Sequence, residues 1–163
     1  MSVVELHGIW EQYAEARLVA LLNHDSRHFV SEQNLTGIER ISMGLASYIV
    51  RGGNRYFDFR SMGDLINRAD RYAGKSQNPF RNITANRRHY LDALAAIRNC
   101  VVHRSDAAIK AYKRALTGVY GIHSAPEPDE FLNALDNRAT SPLRYHRRLD
   151  GLAAVLREAI TTT

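Results

Sequence analysis

Residues Arg98-Asn99-Cys100-Val101-Val102-His103 place a permanent cation, a carboxamide and an imidazole within one short stretch. An imidazole gives or takes a proton near neutral pH. A guanidinium keeps its charge and grips phosphate oxygens as a fork, so it stabilises negative charge that develops on them. RNA brings its own nucleophile, the ribose 2′-hydroxyl, so breaking its backbone needs proton transfer and a charge clamp rather than a metal. Arg98 and His103 are candidates for these two roles, with Asn99 orienting His103 or binding a phosphate oxygen. On an ideal helix Asn99 and His103 share a face, whereas Arg98 and His103 diverge by roughly 140°. Such a site therefore needs the reach of the arginine, a helix distortion, or an interface between two chains. The residues alone leave a second reading open: His103 bonds terminal carbonyls at a helix end, and Arg98 pairs with Asp92 or Asp106.

The elements that must position this hexamer read as helices throughout. Val3, Leu6, Ile9, Trp10, Tyr13, Leu18, Leu21 and Leu22 recur at three- and four-residue spacing and predict a long amphipathic first helix. A short helix is predicted around Phe29 to Leu35. Thr36 with Glu39 forms a capping-box pattern opening a helix through Ile38, Ile41, Leu45 and Ile49, stopped by Gly52-Gly53. The aromatic–basic connector Arg55 to Arg60 is compatible with extended chain. Ser61 with Asp64 starts the next helix, through Leu65, Ile66, Ala69 and Tyr72 to Gly74. After the Asn78-Pro79 loop, a helix from Thr84 carries Leu91, Leu94, Ile97, Val101 and Val102 inward and presents the hexamer near its end. Ser105-Asp106 caps a helix through Ile109, Tyr112 and Leu116. Pro128 suits the first turn of a helix over Phe131, Leu132 and Leu135, and Ser141-Pro142 repeats the device before a last helix with Leu149, Leu152, Leu156 and Ile160 inward. The expected architecture is a single all-α domain over residues 1–163, with a four-helix core and residues 126–163 as accessory helices packed on it.

Other constellations are weaker. His24 and His28 could share a helix face, and Cys100 with His103 is the only other such pair, so the ligand set of a structural zinc is missing and no metal is expected. Arg51-Gly52-Gly53-Asn54-Arg55 lacks the Lys-Ser/Thr and helix start of a phosphate-binding loop and reads better as a helix stop. Trp10, Tyr56, Phe57 and Phe59 read as core more readily than as base-stacking platforms.

Composition sets the wider frame. The chain has 163 residues, 45% of them hydrophobic and 24% charged, as expected for one folded domain. Its single cysteine, Cys100, cannot form an internal disulfide, and Glu5, Glu11, Glu15 and Arg17 interrupt any leader-like or membrane-spanning run, so a cytoplasmic location without a membrane partner is expected. The net charge of +5 is unevenly spread. Arg51 to Arg114 holds 14 Lys/Arg against five aspartates, a local charge of +9, while the remainder carries −4. A basic middle suits a polyanion-binding face, and equally an arginine-rich solvated surface. On the first reading Arg87, Arg88, Arg104 and Lys110 are the RNA-binding candidates flanking the hexamer.

Arg-Asn-x-x-x-His late in an all-helical basic chain resembles the signature of the HEPN superfamily (higher eukaryotes and prokaryotes nucleotide-binding). The wider run of Trp10, Leu91-Asp92-Ala93-Leu94, the hexamer and Ser105-Asp106 is similar to the branch named for association with ribosomal L-PSP. The resemblance covers most of the chain, and the hexamer is its diagnostic part. It implies an up-and-down four-helix core with accessory helices. It also implies a metal-independent endoribonuclease without cofactor, a toxin or antiviral-defence effector that acts as a homodimer with Arg98, Asn99 and His103 in the cleft. Non-catalytic members that only bind RNA or nucleotide are the alternative, as is an interaction or antitoxin partner. A cognate antitoxin or neighbouring-gene regulator would be a further partner. Members neutralised by adenylylation carry a tyrosine two residues after the histidine; Ser105 stands there, which puts that mode in doubt.

Overall fold

A computed structural model describes residues 1–138 and 146–163. Its regular elements are helical: α1 (Val3–His24), α2 (Arg27–Glu32), α3 (Met43–Val50), α4 (Met62–Ala73), α5 (Ala85–His103), α6 (Asp106–Ala115), α7 (Pro128–Asn133) and α8 (Arg148–Thr162). A 3₁₀ turn spans Pro79–Asn82 and a π turn spans Leu116–Tyr120. Among the described residues β-structure is confined to one isolated bridge, Leu135 to Arg147. The all-α expectation is therefore met. No described helix is long and apolar enough to cross a membrane.

Contacts divide the chain into two units, one made of Met1–Gly8 with Thr84–Thr162 and the other of Ile9–Ile83 with Thr163. In the first, α5 packs on α6, α7 and α8, and α7 packs on α8. The C-terminal helices thus lie against α5. Pro128 stands in the first turn of α7, where its missing N–H costs no hydrogen bond. Leu135 departs from expectation: α7 ends at Asn133, and residue 135 is exposed in the bridge. The reason lies in the backbone, since Ala134 is extended and the Asp136 and Arg148 N–H groups donate to His146 and Ala134 carbonyls. Of the last helix's predicted stripe, Leu152 and Leu156 are buried and Leu149 and Ile160 half-buried. The Ser141-Pro142 cap lies outside the described residues.

The second unit is built around Trp10, 1% exposed, which stacks on Tyr13 and meets Phe59 and Phe80 edge-on. Ser61 caps α4 as expected, accepting from the Asp64 N–H at 3.2 Å. The Thr36/Glu39 capping box does not form, and α3 starts only at Met43 under a Ser42 cap. Gly37 has φ +76°, a left-handed conformation that interrupts any helix, and side chains compete for the following carbonyls. Asn23 donates to the Ile41 carbonyl at 2.8 Å and Ser26 to that of Glu39 at 3.5 Å. The connector's aromatics split: Phe57 is buried and Tyr56, expected in the core, is 71% exposed.

Buried Asn78 ties the 3₁₀ turn to α4. Its amide donates to the Ile66 carbonyl at 2.9 Å and to Asp70 Oδ1 at 2.7 Å, while its oxygen accepts from the Phe80 N–H. Arg81 adds a bond from Nε to Asp70 Oδ1 at 2.8 Å. These bonds, Arg81 first and Asn78 after it, hold the Asp70 carboxyl below its ordinary range against the opposing effect of burial. A depressed folded-state pKa contributes stability that is full above the unfolded value, roughly 4, and is lost as pH falls through the folded value. Urea midpoints measured from neutral pH down to about pH 2 should therefore fall less steeply for Asp70→Asn than for wild type. Equal slopes would sink the assignment.

Candidate functional site

Helix α5 begins where Thr84 accepts from the Arg87 N–H, and it buries Leu91, Ala93, Leu94, Ile97 and Cys100. The inward stripe therefore closes on Cys100. Val101, expected on the stripe, is half-exposed, and Val102, also expected inward, is 47% exposed. The helical pitch explains this: residue 102 lies roughly 160° around the axis from residue 100. With α6 packed on α5, an apolar side chain so far round the axis faces out.

His103 is the last helical residue. Arg104 then takes the left-handed conformation, φ 48° and ψ 23°, and its N–H donates to the Cys100 carbonyl. Ser105 is extended and caps α6, accepting from the Ala108 N–H at 3.3 Å. Two residues thus reverse the chain, and the hexamer ends at the tip of the α5–α6 hairpin. A left-handed arginine costs on the order of 1 kcal/mol where glycine costs little. Arg104→Gly should raise the unfolding free energy by about 0.5–1 kcal/mol in a denaturant titration. A clear loss of stability would show that the arginine side chain supports the turn.

The chemistry-bearing side chains reach solvent. Arg98 and Asn99 are half-exposed and His103 is exposed. Arg98 does not pair with Asp92 or Asp106; its Nη1 donates to Asn99 Oδ1 at 2.9 Å. Asn99 shares a helix face with His103, so this bond draws the guanidinium around the axis toward the imidazole and offsets part of their angular divergence. That assigns Asn99 to Arg98 rather than to His103. Among the described residues no hydrogen bond engages the His103 imidazole, so it does not cap the terminal carbonyls.

The flanking cations are not gathered in one place. Arg104 and Lys110 are exposed near the tip. Arg87 stands about 24 Å along the helix from His103, where it forms an ion pair with Glu158 of α8 at 2.7 Å. Arg88 beside it is half-buried. The cleft beside the hairpin, about 470 Å³, is lined by Cys100, Val101, Arg104, Tyr112, Lys113 and Glu127 among others, and by neither Arg98 nor His103. Burial pushes the Cys100 thiol up, Glu127 adds to this and Arg104 opposes it, so the cysteine is a core group rather than a ready nucleophile. Among the described residues no group of three or more His, Cys, Asp or Glu is arranged to hold a metal ion.

Comparison with family models, curated proteins and solved structures gives no match to this chain. The site is therefore read from its own geometry. Sequence reasoning misjudged an arginine-lined cavity in the second unit: the Arg51–Arg55 run, read as a helix stop, and the connector Arg55–Arg60 line it together with residues as distant in sequence as Phe29 and Tyr72.

Proposed function

We propose that the chain is a metal-independent endoribonuclease of the HEPN type, cutting single-stranded RNA with Arg98 and His103. The observation that carries this reading is a solvent-reaching guanidinium bonded to Asn99 and an exposed imidazole five residues on, both on the last turns of α5 near one hairpin tip. In the proposed reaction the 2′-hydroxyl gives its proton to an imidazole while its oxygen attacks the adjacent phosphorus. Arg98 clamps the non-bridging oxygens as charge builds on them. The bond from phosphorus to the 5′-oxygen breaks, and that oxygen leaves with a proton from a second acid. The products are a 2′,3′-cyclic phosphate and a 5′-hydroxyl.

One His103 cannot be both acid and base in a single step, and one helix turns Arg98 and His103 apart. A homodimer that faces two hairpin tips supplies the second imidazole. Exposed Val102 beside His103 offers apolar area to offset the repulsion of two basic motifs. Such an activity suits a toxin or antiviral effector in the cytoplasm, restrained by a cognate antitoxin or neighbouring-gene regulator. The test is incubation of purified protein with mixed single-stranded RNA in excess chelator, with end-group analysis of the fragments. Fragments ending in a 2′,3′-cyclic phosphate support the reading; intact RNA at micromolar enzyme refutes it.

A second reading, a non-catalytic RNA-binding module, is favoured by the cleft at the hairpin excluding both Arg98 and His103. It expects binding that weakens steeply with salt, without cleavage.

A further inference from the structure

The second unit contains a cavity of about 1000 Å³ whose wall carries Arg51, Arg55, Arg60, Arg68 and Arg71, opposed by Asp58 and Asp64. Arginines outnumber carboxylates there by five to two. Two of the five are already engaged. Arg51 Nε bonds Glu15 at 2.6 Å, and Arg68 bonds Asp64 at 2.9 Å. Arg55, Arg60 and Arg71 are exposed and form no ion pair among the described residues. Arg60 donates its backbone N–H to Asp64 at 3.1 Å and shares the field of that carboxylate with Arg68. Arg55 and Arg71, with part of the Arg60 charge, thus leave an excess of positive charge around one concavity that suits an anion with several charged oxygens.

The rest of the wall narrows the class of ligand. Phe29 and Tyr72 meet edge-on at 5.8 Å and, with Ile49, give the cavity apolar surface. Tyr56 lines the cavity and is largely exposed, with the Arg55 guanidinium 5.3 Å from its ring centroid. An exposed ring stiffened by a stacked guanidinium is a platform for another flat ring. The backbone does not serve as a phosphate cradle: the N–H groups of Gly52, Gly53 and Asn54 already donate to the Ile49, Tyr48 and Arg51 carbonyls. Recognition falls to side chains. We propose that this cavity binds a nucleoside polyphosphate, with phosphates on Arg55, Arg60 and Arg71 and the base against Tyr56. It lies within the second unit and does not depend on the ribonuclease reading of the hairpin.

The experiment titrates the full chain with a fluorescent nucleoside triphosphate, using tripolyphosphate and a short single-stranded oligoribonucleotide as competitors. Saturable binding is expected. Arg60→Ala combined with Arg71→Ala should weaken it about tenfold or more. Tyr56→Ala should weaken the nucleotide about fivefold while leaving tripolyphosphate competition unchanged. Arg98→Ala and His103→Ala should bind as wild type, which separates this site from the hairpin. The substituted cavity side chains Tyr56, Arg60 and Arg71 are exposed, and unchanged circular dichroism establishes that the variants are folded. No saturation at millimolar nucleotide, wild-type binding by the arginine variant, or tripolyphosphate competing as well as the nucleotide would overturn the proposal. Competition by the oligoribonucleotide alone would overturn it too, since the cavity would then serve an RNA strand.

Discussion

His103→Ala should lower the rate of RNA cleavage by about 10²–10⁴-fold, the usual contribution of a positioned acid or base. Arg98→Ala should lower it by about 10²–10³-fold, as expected when a charge-stabilising donor is removed. Both should leave thermal unfolding nearly unchanged, because His103 is exposed and Arg98 makes its one described bond to its neighbour Asn99. Asn99→Ala tests the positioning role separately. It frees the guanidinium from the His103 face, so cleavage should fall less than in Arg98→Ala while the pH dependence keeps its shape. A mixture of the two inactive variants, Arg98→Ala and His103→Ala, should recover part of the activity, since one composite cleft in a mixed dimer holds an intact group of each kind. Cleavage by His103→Ala at the wild-type rate would remove the imidazole from the mechanism. Failure of the mixture, together with full activity at dilutions where the protein is monomeric, would remove the dimer.

Arg138→Ala should destabilise the protein by about 3 kcal/mol, since truncating one member of a buried pair strands the other charge. The melting temperature should fall by roughly 6–12 °C for a chain of this size. Arg138 bonds Asp136 through Nε at 2.9 Å and Nη2 at 2.6 Å, and the Asp136 side chain is 7% exposed. The same guanidinium donates to the Val119 carbonyl of the π turn at 2.6 Å and to Tyr90 Oη at 2.9 Å, and it stacks on Tyr120 at 4.6 Å. It thus joins three otherwise separate pieces of the first unit: α5, the π turn, and the segment after α7. Arg138→Lys should recover less than half of the loss, because an ammonium cannot reproduce the forked contact. A second change, Asp136→Asn, should recover part of it by removing the stranded charge. A melting temperature within a degree or two of wild type for Arg138→Ala would show that the cluster contributes little.

Local signals were legible where chemistry acts over a few residues. Thr84, Ser61 and Ser105 mark helix starts because a hydroxyl three residues upstream of an orphan N–H satisfies it, and all three do so. Three- and four-residue spacing of apolar side chains determined the all-α class and most of the buried face of α5. The Arg98–His103 hexamer, with its chemistry and its angular problem, was also readable from residue types and helical pitch. Tertiary structure decided what depends on residues distant in the chain. It cancelled the helix start at Thr36, because Asn23 and Ser26 bond carbonyls that a helix would have used. It turned Val102 outward by seating Cys100 inward, and it paired Arg87 with Glu158 of α8, 71 residues along the sequence. It drew Arg51, Arg55, Arg60, Arg68 and Arg71 around one cavity. Periodicity reports which face of a helix is apolar, but charge pairing and concavity are set by which elements meet, and a linear pattern carries no term for that.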